Sequence, residues 1–371
     1  MNSHYETERI ETVIVGGGQS GLALGYHLAR RGLPFVILDA HQRVGDAWRN
    51  RWDSLRLFTP AGYDGLPGLR FPAPRSSFPT KDEMADYLES YAAKFRLPVR
   101  TGVRVDALAT DGHRFLVAAN DLRFEADNVV IATSPELLPR IPSFASELDP
   151  GLVQLHSFHY ANQSQLQPGG VLIVGAGNSG ADIAMDVVKH HPTHLSGRDV
   201  GHIPFPINRV TGTLIYPLVR FMFHRVLTVH NPIARKIRAS LEAGHGLPLV
   251  RVKPKHLAAA GVERVPRVAG VADGLPVLED GRVLDVANVI WCTGYRPDYS
   301  WIDLPGFDRE QTPKHTRGVV EGQPGLYFVG LNFLFSASSS QVNGVGRDGA
   351  YLANAIAARH ATGAHPAVVG A

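Results

Sequence analysis

The sequence predicts an α/β fold built from two Rossmann-like dinucleotide-binding domains, with the second domain inserted into the first. Three observations predict it: a strand–glycine turn–helix unit near the start, a second such unit in mid-chain, and a late strand and helix at residues 326–330 and 349–360. We expect the first domain to span residues 1–165 and 288–371 and the inserted domain to span residues 166–287. A proline-rich linker, residues 135–150, lies between the two units.

Composition indicates a globular protein and excludes several other classes. Of the 371 residues, 44% are hydrophobic and 19% are charged, which is typical of a folded domain. The net charge is only +3 and the arginines are scattered, so we expect no nucleic-acid partner. The polar N-terminus and the lack of a run of about 18 apolar residues predict neither a signal peptide nor a membrane span. We therefore expect a cytoplasmic protein without membrane contact.

The first unit begins with the β-branched run at residues 12–15, which continues into the glycine turn at residues 16–21 (GGGQSG). Residues 22–32 have helical spacing and end at a glycine. Residues 35–38 form a buried strand that is followed by Asp39. This order of strand, glycine turn, helix, strand and acid is typical of a dinucleotide-binding βαβ unit.

Each glycine of this turn has an expected role. Gly16 permits the tight bend, Gly18 lets the backbone approach a pyrophosphate, and Gly21 lets the helix pack closely on the strand. The helix N-terminus offers free N–H groups and a partial positive charge to the phosphates. Asp39 can accept hydrogen bonds from a ribose diol. The other contacts expected in this turn are Gln19 and Ser20.

The second unit repeats the pattern, with a strand at residues 171–174 and a glycine turn at residues 175–180 (GAGNSG). Counting from the first glycine of each turn, Arg198 falls at the position of Asp39. An arginine there would bind a 2′-phosphate that a carboxylate would repel, which predicts NADP; a solvated loop arginine is the alternative. The expected nucleotide contacts are Gly175, Gly177, Asn178, Ser179, Gly180, Ser196 and Arg198.

The segments that follow the two units also correspond. VVIATS contains Thr133 and VIWCTG contains Thr293, at nearly the same distance from their glycine turns. Such an internal duplication is more specific than either motif alone. We expect Thr133, Thr293 and Gly294 to lie beside the cofactors.

Other patterns carry less weight. His190, His191 and His194 lack a carboxylate or cysteine at ligand spacing, so exposed histidines are favoured over a metal site. Ser20 and Ser179 lack the G-x-S-x-G elbow of a hydrolase. The apolar residues 210–229 remain open to two interpretations. They form either a core or interface helix, or a substrate-tunnel wall or membrane-surface contact.

Taken together, these motifs resemble those of the class B flavin-containing monooxygenases. Residues 45–57 (GDAWRNRWDSLRL) are similar to the flavin-embracing segment of bacterial members. Residues 156–160 match the HxxxY half of the family fingerprint, and residues 292–295 (CTGY) resemble the ATGY element of the interdomain linker. The phenylalanine and glycine of the fingerprint would fall at Pro150 and Leu152.

The resemblance implies FAD in the first site and NADPH in the second. It implies a monooxygenase in which dioxygen and the reduced flavin form a C4a-(hydro)peroxyflavin that oxygenates a soft nucleophile, an amine or a sulfide. It assigns catalytic positions to His156 and Tyr160 near the nicotinamide and to Arg56 at the flavin edge. It adds these residues to the expected FAD contacts: Trp48, Arg49, Thr59, Val105, Gln341 and Val345.

Alternatives stay open at this point. One is a flavin reductase or oxidase that consumes NADPH without oxygenating a substrate, and another is a redox sensor that binds both cofactors. A Baeyer–Villiger monooxygenase is disfavoured because those enzymes carry tryptophan where Tyr160 stands. A disulfide reductase is excluded because Cys292 is the only cysteine. We expect an apolar small-molecule substrate, whereas the sequence leaves its identity and the oligomeric state open.

Overall fold

The computed structural model describes residues 7–134, 138–309 and 311–363, so residues 135–137 of the predicted linker lie outside it. The strands up to the second glycine turn are β1 (Thr7–Val15), β2 (Phe35–Leu38), β3 (Val99–Arg100), β4 (Val105–Thr110), β5 (Phe115–Ala119), β6 (Leu122–Ile131), β7 (Leu138–Pro139), β8 (Val153–His156) and β9 (Val171–Val174). The later strands are β10 (Thr193–Ser196), β11 (Glu263–Val265), β12 (Val268–Ala272), β13 (Leu275–Leu278), β14 (Asn288–Trp291), β15 (Tyr295–Arg296), β16 (His315–Thr316), β17 (Val319–Val320) and β18 (Leu326–Phe328).

Helices alternate with these strands in most of the chain. They are α1 (Gln19–Ala29), α2 (Asp46–Arg49), α3 (Lys81–Lys94), α4 (Asn178–Val187), α5 (Arg209–Leu214), α6 (Tyr216–Phe221), α7 (Pro232–Glu242), α8 (Pro254–Ala260) and α9 (Val342–Ala361). Short 3₁₀ turns occur at Ala61–Tyr63, Ser143–Glu147 and Gln163–Gln165, and a π-helical turn occurs at Met222–Val226.

The first sheet has a parallel core in the order β3–β2–β1–β6–β18. The hairpin β4–β5 pairs antiparallel with β6, and β16 and β17 extend the edge beyond β18. Strand β18 comes from the end of the chain and pairs with β6, with Phe328 opposite Ile131. The chain therefore returns to the first sheet after the second unit, as the sequence predicts.

Apolar residues cover both faces of this sheet. On one face, α1, α3 and α9 bury Leu22, Leu88 and Leu352 against the strands. On the other face, the β4–β5 hairpin buries Leu108 and Phe115. Where the central strands lie between these layers, at residues 13–15, 35–38 and 129–131, they are apolar without alternation, because a parallel sheet covered on both faces has no solvent face.

The second sheet is parallel in the order β11–β10–β9–β14–β8, the same spatial arrangement as the core of the first. The fifth strands of the two sheets come from different places in the sequence. Strand β8 comes before the glycine turn of its sheet, whereas β18 comes after all the other strands of the first sheet. Strands β8 and β14 both lie outside the predicted limits 166–287, so this sheet extends beyond the inserted domain as drawn from the sequence. The exact domain limits stay a prediction.

The register of the two units corrects the alignment predicted from counting. The Gly16 N–H donates to Leu38 O at 2.8 Å, and the Gly175 N–H donates to Ser196 O at 2.8 Å. Ser196 is therefore equivalent to Leu38, and Gly197 rather than Arg198 occupies the place of Asp39. The reason is that α4 has 10 residues where α1 has 11.

Two chain crossings between the sheets run side by side. Strand β15 pairs antiparallel with β7, which places Tyr295 opposite Pro139. The Arg140 N–H donates to Gly294 O at 2.9 Å, and the Thr293 hydroxyl donates to Arg140 O. Thr293 and Gly294 thus lie at the crossing.

The apolar segment at residues 210–229 is not one core helix. It divides into α5, α6 and the π-helical turn, and several of its large side chains face solvent, with Val210, Leu214 and Leu218 exposed by 65%, 73% and 62%. Tyr216 and Leu227 point inward instead. The core interpretation is therefore wrong for much of this segment. In the part of the chain that the structure describes, no helix has the length and hydropathy needed to cross a bilayer.

Candidate functional site

The first glycine turn has the geometry of an anion-binding helix start. Gly16 has φ +113°, and a Cβ on Gly21 would lie 2.0 Å from Gly16 O, so only glycine lets α1 pack here. Gly18 precedes α1 without a side-chain cap. Among the described residues, no atom beyond its chain neighbours would lie within 4 Å of a Cβ on Gly18. The first N–H groups of α1, from Gln19 and Ser20 onward, therefore remain accessible to a phosphate.

Asp39 lies directly beneath this turn and is 7% exposed. Its Oδ2 accepts the Gly17 N–H at 2.8 Å, and its Oδ1 accepts the backbone N–H and the ring Nδ1 of His41 at 2.8 and 2.9 Å. Burial opposes ionisation, but the hydrogen bonds from His41 and Gly17 outweigh it and hold the pKa of Asp39 below its ordinary value. The carboxylate is therefore charged at neutral pH and retains lone pairs for a diol.

The second glycine turn repeats this geometry. Gly175 has φ +114°, and its Cβ would lie 2.2 Å from Cys292 O, just as that of Gly16 would lie 2.8 Å from Ala132 O. A Cβ on Gly180 would lie 1.9 Å from Gly175 O. Gly177, like Gly18, would place a Cβ farther than 4 Å from non-neighbouring atoms in the described chain. The two turns are thus equivalent anion sites.

The two sites differ where the second strand of each unit ends. Gly197 has φ +147°, and a Cβ there would lie 2.6 Å from the N atom of Ala176, the counterpart of Gly17. The first unit places a carboxylate at this point and the second places none. The next residue, Arg198, is exposed and its Nη1 lies 3.2 Å from His245 Nε2. The second site can therefore accept a group with more negative charge than the first.

Two residues predicted to bind the second nucleotide have other partners. Ser196 is fully buried, and its hydroxyl donates to Pro266 O at 2.9 Å and accepts the Val268 N–H at 3.1 Å. Asn178 holds the loop before α8, because its Oδ1 accepts the Val250 N–H at 2.9 Å. The geometry thus counts against Ser196 as a phosphate ligand and gives Asn178 a structural contact.

His156 and Tyr160 have their polar atoms engaged by the protein. His156 Nδ1 accepts the Phe158 N–H at 3.1 Å, so its Nε2 carries the proton that is shared with Gly294 O at 3.1 Å. Burial lowers the pKa of this histidine. Tyr160 is fully buried and its hydroxyl donates to Asp186 Oδ2 at 3.1 Å. His156 thus fastens β8 to the crossing at Gly294, whereas Tyr160 fastens the segment after β8 to α4.

The flavin-embracing segment is held between α1 and α3. Trp48 Nε1 donates to Gln19 Oε1 at 3.3 Å, which joins this segment to the first glycine turn. Arg49 forms ion pairs at 2.9 to 3.1 Å with three carboxylates, those of Asp46, Asp86 and Glu89. The exposed Arg56 donates to Phe78 O at 3.1 Å.

The remaining predicted FAD contacts lie at strand and helix ends. Thr133 lies two residues after the end of β6, and its N atom would be 3.1 Å from a Cβ on Gly16. Val105 begins β4, opposite Ala119. Gln341 precedes α9 without capping it, and Val345 is fully buried in the first turns of that helix.

Asp64 is a buried acid that the sequence did not single out. The Thr59 hydroxyl donates to its Oδ1, and its Oδ2 finds no hydrogen-bond partner among the described residues. Burial raises the pKa of this fully buried carboxyl to about 7, against the hydrogen bond from Thr59. An acid within the apolar, glycine-rich YDGLPG segment was the only signal that could have indicated it.

Nearby polar groups were also missed. Asn343 Nδ2 donates to the Tyr216 hydroxyl at 2.7 Å, which links α9 to the apolar segment. His224 Nδ1 lies 2.9 Å from Ser338 Oγ, and burial together with Arg347 lowers its pKa to about 4. These contacts join residues more than a hundred positions apart, so no local pattern indicates them.

We expect the Asp64→Asn variant to be more stable than the wild type near pH 8. A folded pKa raised above the unfolded value means that stability falls as the pH rises towards about 7, and three pKa units correspond to at most about 4 kcal/mol. The asparagine keeps an acceptor for Thr59 and avoids the buried charge. Denaturant unfolding at about pH 5 and about pH 8 measures the difference.

The advantage of Asp64→Asn should shrink as the pH falls. The exposed Asp121→Asn variant is the matched control and should show no such trend. An equal effect of Asp64→Asn at both pH values would show that this carboxyl does not titrate as its burial requires.

Comparison with known proteins identifies the family. Residues 13–199 match the family model described as pyridine nucleotide-disulphide oxidoreductase. An uncharacterized CzcO-like oxidoreductase of Geobacillus kaustophilus is 38% identical over 94% of this chain and 98% of its own. The indole-3-pyruvate monooxygenase YUCCA1 of rice is 34% identical over 92% of this chain and 93% of its own.

A solved structure agrees with these relatives. The flavin-containing monooxygenase from Stenotrophomonas maltophilia superimposes with a TM-score of 0.75 at 29% identity, covering 95% of this chain and all of that one. Its similarity extends over both sheets and both glycine turns. The chain therefore belongs to the flavin-containing monooxygenase family, within the pyridine nucleotide-disulphide oxidoreductases.

Proposed function

We propose that the protein is an NADPH-consuming FAD monooxygenase that transfers one oxygen atom to a soft nucleophile, an amine or a sulfide. The observation that carries this proposal is the pair of equivalent glycine turns, one followed by the buried Asp39 and the other by Gly197 and Arg198. Two anion sites in one chain, differing in charge at the ribose position, fit two different dinucleotides. Family membership supports the same assignment.

FAD fits the first site. The N-terminus of α1 would hold the pyrophosphate, and Asp39 would accept hydrogen bonds from the ribose hydroxyls. Trp48, Thr59 and the N-terminus of α9 after Gln341 would hold the ring, and that N-terminus would favour negative charge there. Arg49 orders the segment that surrounds the ring through its three carboxylate partners.

NADPH fits the second site. The N-terminus of α4 faces its pyrophosphate. Gly197 leaves room at the ribose where Asp39 closes the first site, and Arg198 with its neighbour His245 pairs with the 2′-phosphate. The proposed nucleotide is still NADPH, as predicted from sequence. The residue equivalent to Asp39 is Gly197 rather than Arg198.

His156 and Tyr160 act as positioning residues in this proposal. His156 fixes the second sheet relative to the crossing at Gly294, which sets how the nicotinamide domain meets the flavin domain. Tyr160 fixes the segment after β8 on α4. Their hydrogen bonds within the protein support this role over direct proton transfer. Arg56 remains a proposed residue at the flavin edge.

When bound, FAD would supply the dioxygen chemistry of the oxygen transfer. For a sulfide the balance is sulfide, dioxygen, NADPH and a proton giving sulfoxide, water and NADP⁺. The protein orients the reactants and excludes water. Dithiol chemistry is disfavoured because Cys292 is the only cysteine and burial raises the pKa of its thiol to about 12.

Stopped-flow absorbance tests the oxygenation step. The FAD-loaded protein is reduced with NADPH and mixed with oxygenated buffer. We expect a long-lived species absorbing between the reduced and oxidised forms, and sulfoxide when a sulfide is present. Direct return to oxidised flavin with release of hydrogen peroxide would instead identify a flavin reductase or oxidase.

A matched pair of alanine variants tests the two sites separately. Gly18 and Gly177 have extended backbone, with φ of −75° and −77°. Alanine adopts this conformation without strain, so both variants should fold. Gly18→Ala should weaken FAD binding, and Gly177→Ala should raise the KM for NADPH, each about 10- to 100-fold, because forced contacts cost about 1–3 kcal/mol.

Each variant controls for the other. FAD content after purification should fall only for Gly18→Ala, and flavin reduction by NADPH should slow only for Gly177→Ala when FAD is saturating. Loss of FAD from both proteins, or from neither, would contradict the assignment of the two sites.

The Arg198→Gln variant tests the choice of nicotinamide. Loss of a charge-assisted hydrogen bond should raise the KM for NADPH by roughly 10- to 100-fold while changing that for NADH little. The exposed Arg235→Gln variant on α7 is the control. Equal effects on both nucleotides would place the 2′-phosphate away from Arg198.

A further inference from the structure

A cleft of about 710 Å³ lies between residues 61–75, Arg220 of α6 and Asn343 of α9. It adjoins the proposed flavin site on two sides. Residue 61 follows shortly after Thr59, and Asn343 lies between Gln341 and Val345 at the start of α9. The inference below concerns the substrate and rests on the proposed function.

The charge that lines this cleft has one sign. Arg70, Arg75 and Arg220 line it, and within the described ranges no aspartate or glutamate does. All three arginines are exposed, and none has a carboxylate at ion-pair distance among the described residues. Three cations around one cleft attract an anion and repel a cation, since their potentials add where solvent is partly excluded.

Apolar and aromatic groups form the remaining wall. Leu66, Leu69 and Phe71 line the cleft together with Tyr63. The guanidinium of Arg220 lies 5.8 Å from the centroid of the Tyr63 ring, and the Tyr63 and Tyr216 rings are 4.7 Å apart. Tyr63 and Tyr216 thus lie between Arg220 and Asn343, because the Asn343 side chain donates to the Tyr216 hydroxyl.

Asp64, in the loop that forms one wall, offsets little of this positive charge. Its side chain is fully buried and is bonded to Thr59 rather than to an arginine. Burial raises its pKa to about 7, so the group is partly neutral at physiological pH. The cleft therefore keeps its positive character.

We propose that this cleft binds an apolar carboxylate, with the carboxylate held by Arg70, Arg75 and Arg220 and the apolar body directed along Tyr63 towards α9. The soft nucleophile would then be a sulfide that carries a carboxylate, rather than a cationic amine. Tyr63 and the leucines accept an aryl or alkyl body, whereas the three arginines select the charge.

Three probes that share an aryl thioether separate charge from shape: phenylthioacetate, its methyl ester and 2-(phenylthio)ethylamine. Binding to the oxidised, FAD-loaded protein is measured by calorimetry, which requires no turnover. We expect the carboxylate to bind at least roughly tenfold more tightly than the ester, and the amine to bind most weakly. Added salt should reduce the preference, because exposed charges are screened.

Variants locate the preference in the cleft. Arg75→Gln and Arg220→Gln should each weaken binding of the carboxylate roughly fivefold or more and leave binding of the ester unchanged. Arg75→Lys should keep part of the affinity, and the exposed Arg30→Gln variant, at the residue that follows α1, is the matched control. Equal binding of acid and ester, or equal loss with Arg30→Gln, would overturn the inference.

The same probes distinguish failure of the inference from failure of the proposed function. Conversion of the ester to its sulfoxide without any preference for the acid would leave the monooxygenase standing and remove the anionic substrate. Tight binding of the acid with peroxide release and no sulfoxide would leave the binding site standing and remove the monooxygenase.

Discussion

The close packing of a helix start against a strand end is the constraint on which the structure depends. In each unit the last glycine of the turn, Gly21 or Gly180, faces the first glycine's carbonyl oxygen at a distance that no side chain allows. This contact directs the axes of α1 and α4 so that their uncapped N-termini meet the carboxyl edges of the two sheets. Everything that a dinucleotide needs follows from that placement, including the free N–H groups and the nearby end of the second strand.

The two sites use the same backbone and differ in the few side chains around it. The first is closed below by a buried carboxylate, which accepts the Gly17 N–H and is stabilised by His41. The second has no side chain at that point and gains a cation one residue later. We propose that the difference in nucleotide between the two sites follows from this local exchange of charge, while the fold itself is common to both. The cleft near α9 adds a third region of positive charge, formed by the side chains of Arg70, Arg75 and Arg220 rather than by backbone.

Much of the fold could be predicted because its signals are local. The runs at residues 35–38 and 171–174 are strands with those bounds, since β-branched and apolar residues bounded by turns leave little choice. Helix α9 begins at Val342, seven residues before the start predicted from sequence at residue 349. The prediction was late because Gly344 and Gly346 are typical of a loop. In the structure they let the helix pack against Ser338 and Pro67.

The parts of the site that sequence could not give depend on distant segments. From sequence, Ser196 and Asn178 are reasonable nucleotide ligands. In the structure they form hydrogen bonds with the loops at residues 248–250 and 266–268 instead. The residue equivalent to Asp39 was displaced by a helix that is one residue shorter, which counting along the chain cannot detect. Asp64 becomes a buried acid only through the elements that pack over it.

The different origin of the fifth strands sets the order in which the two sheets can be completed during synthesis. The inserted sheet has all five strands once β14 has emerged, because β8 was made before the other four. In the first sheet β5 pairs with residues 122–126 of β6, but residues 129–131 keep one edge unpaired until residues 326–328 arrive, nearly two hundred positions later. An unpaired apolar edge is a site for misassociation. The second sheet can therefore be complete while the first is still missing a strand. The addition of β18 is the step that completes the first sheet.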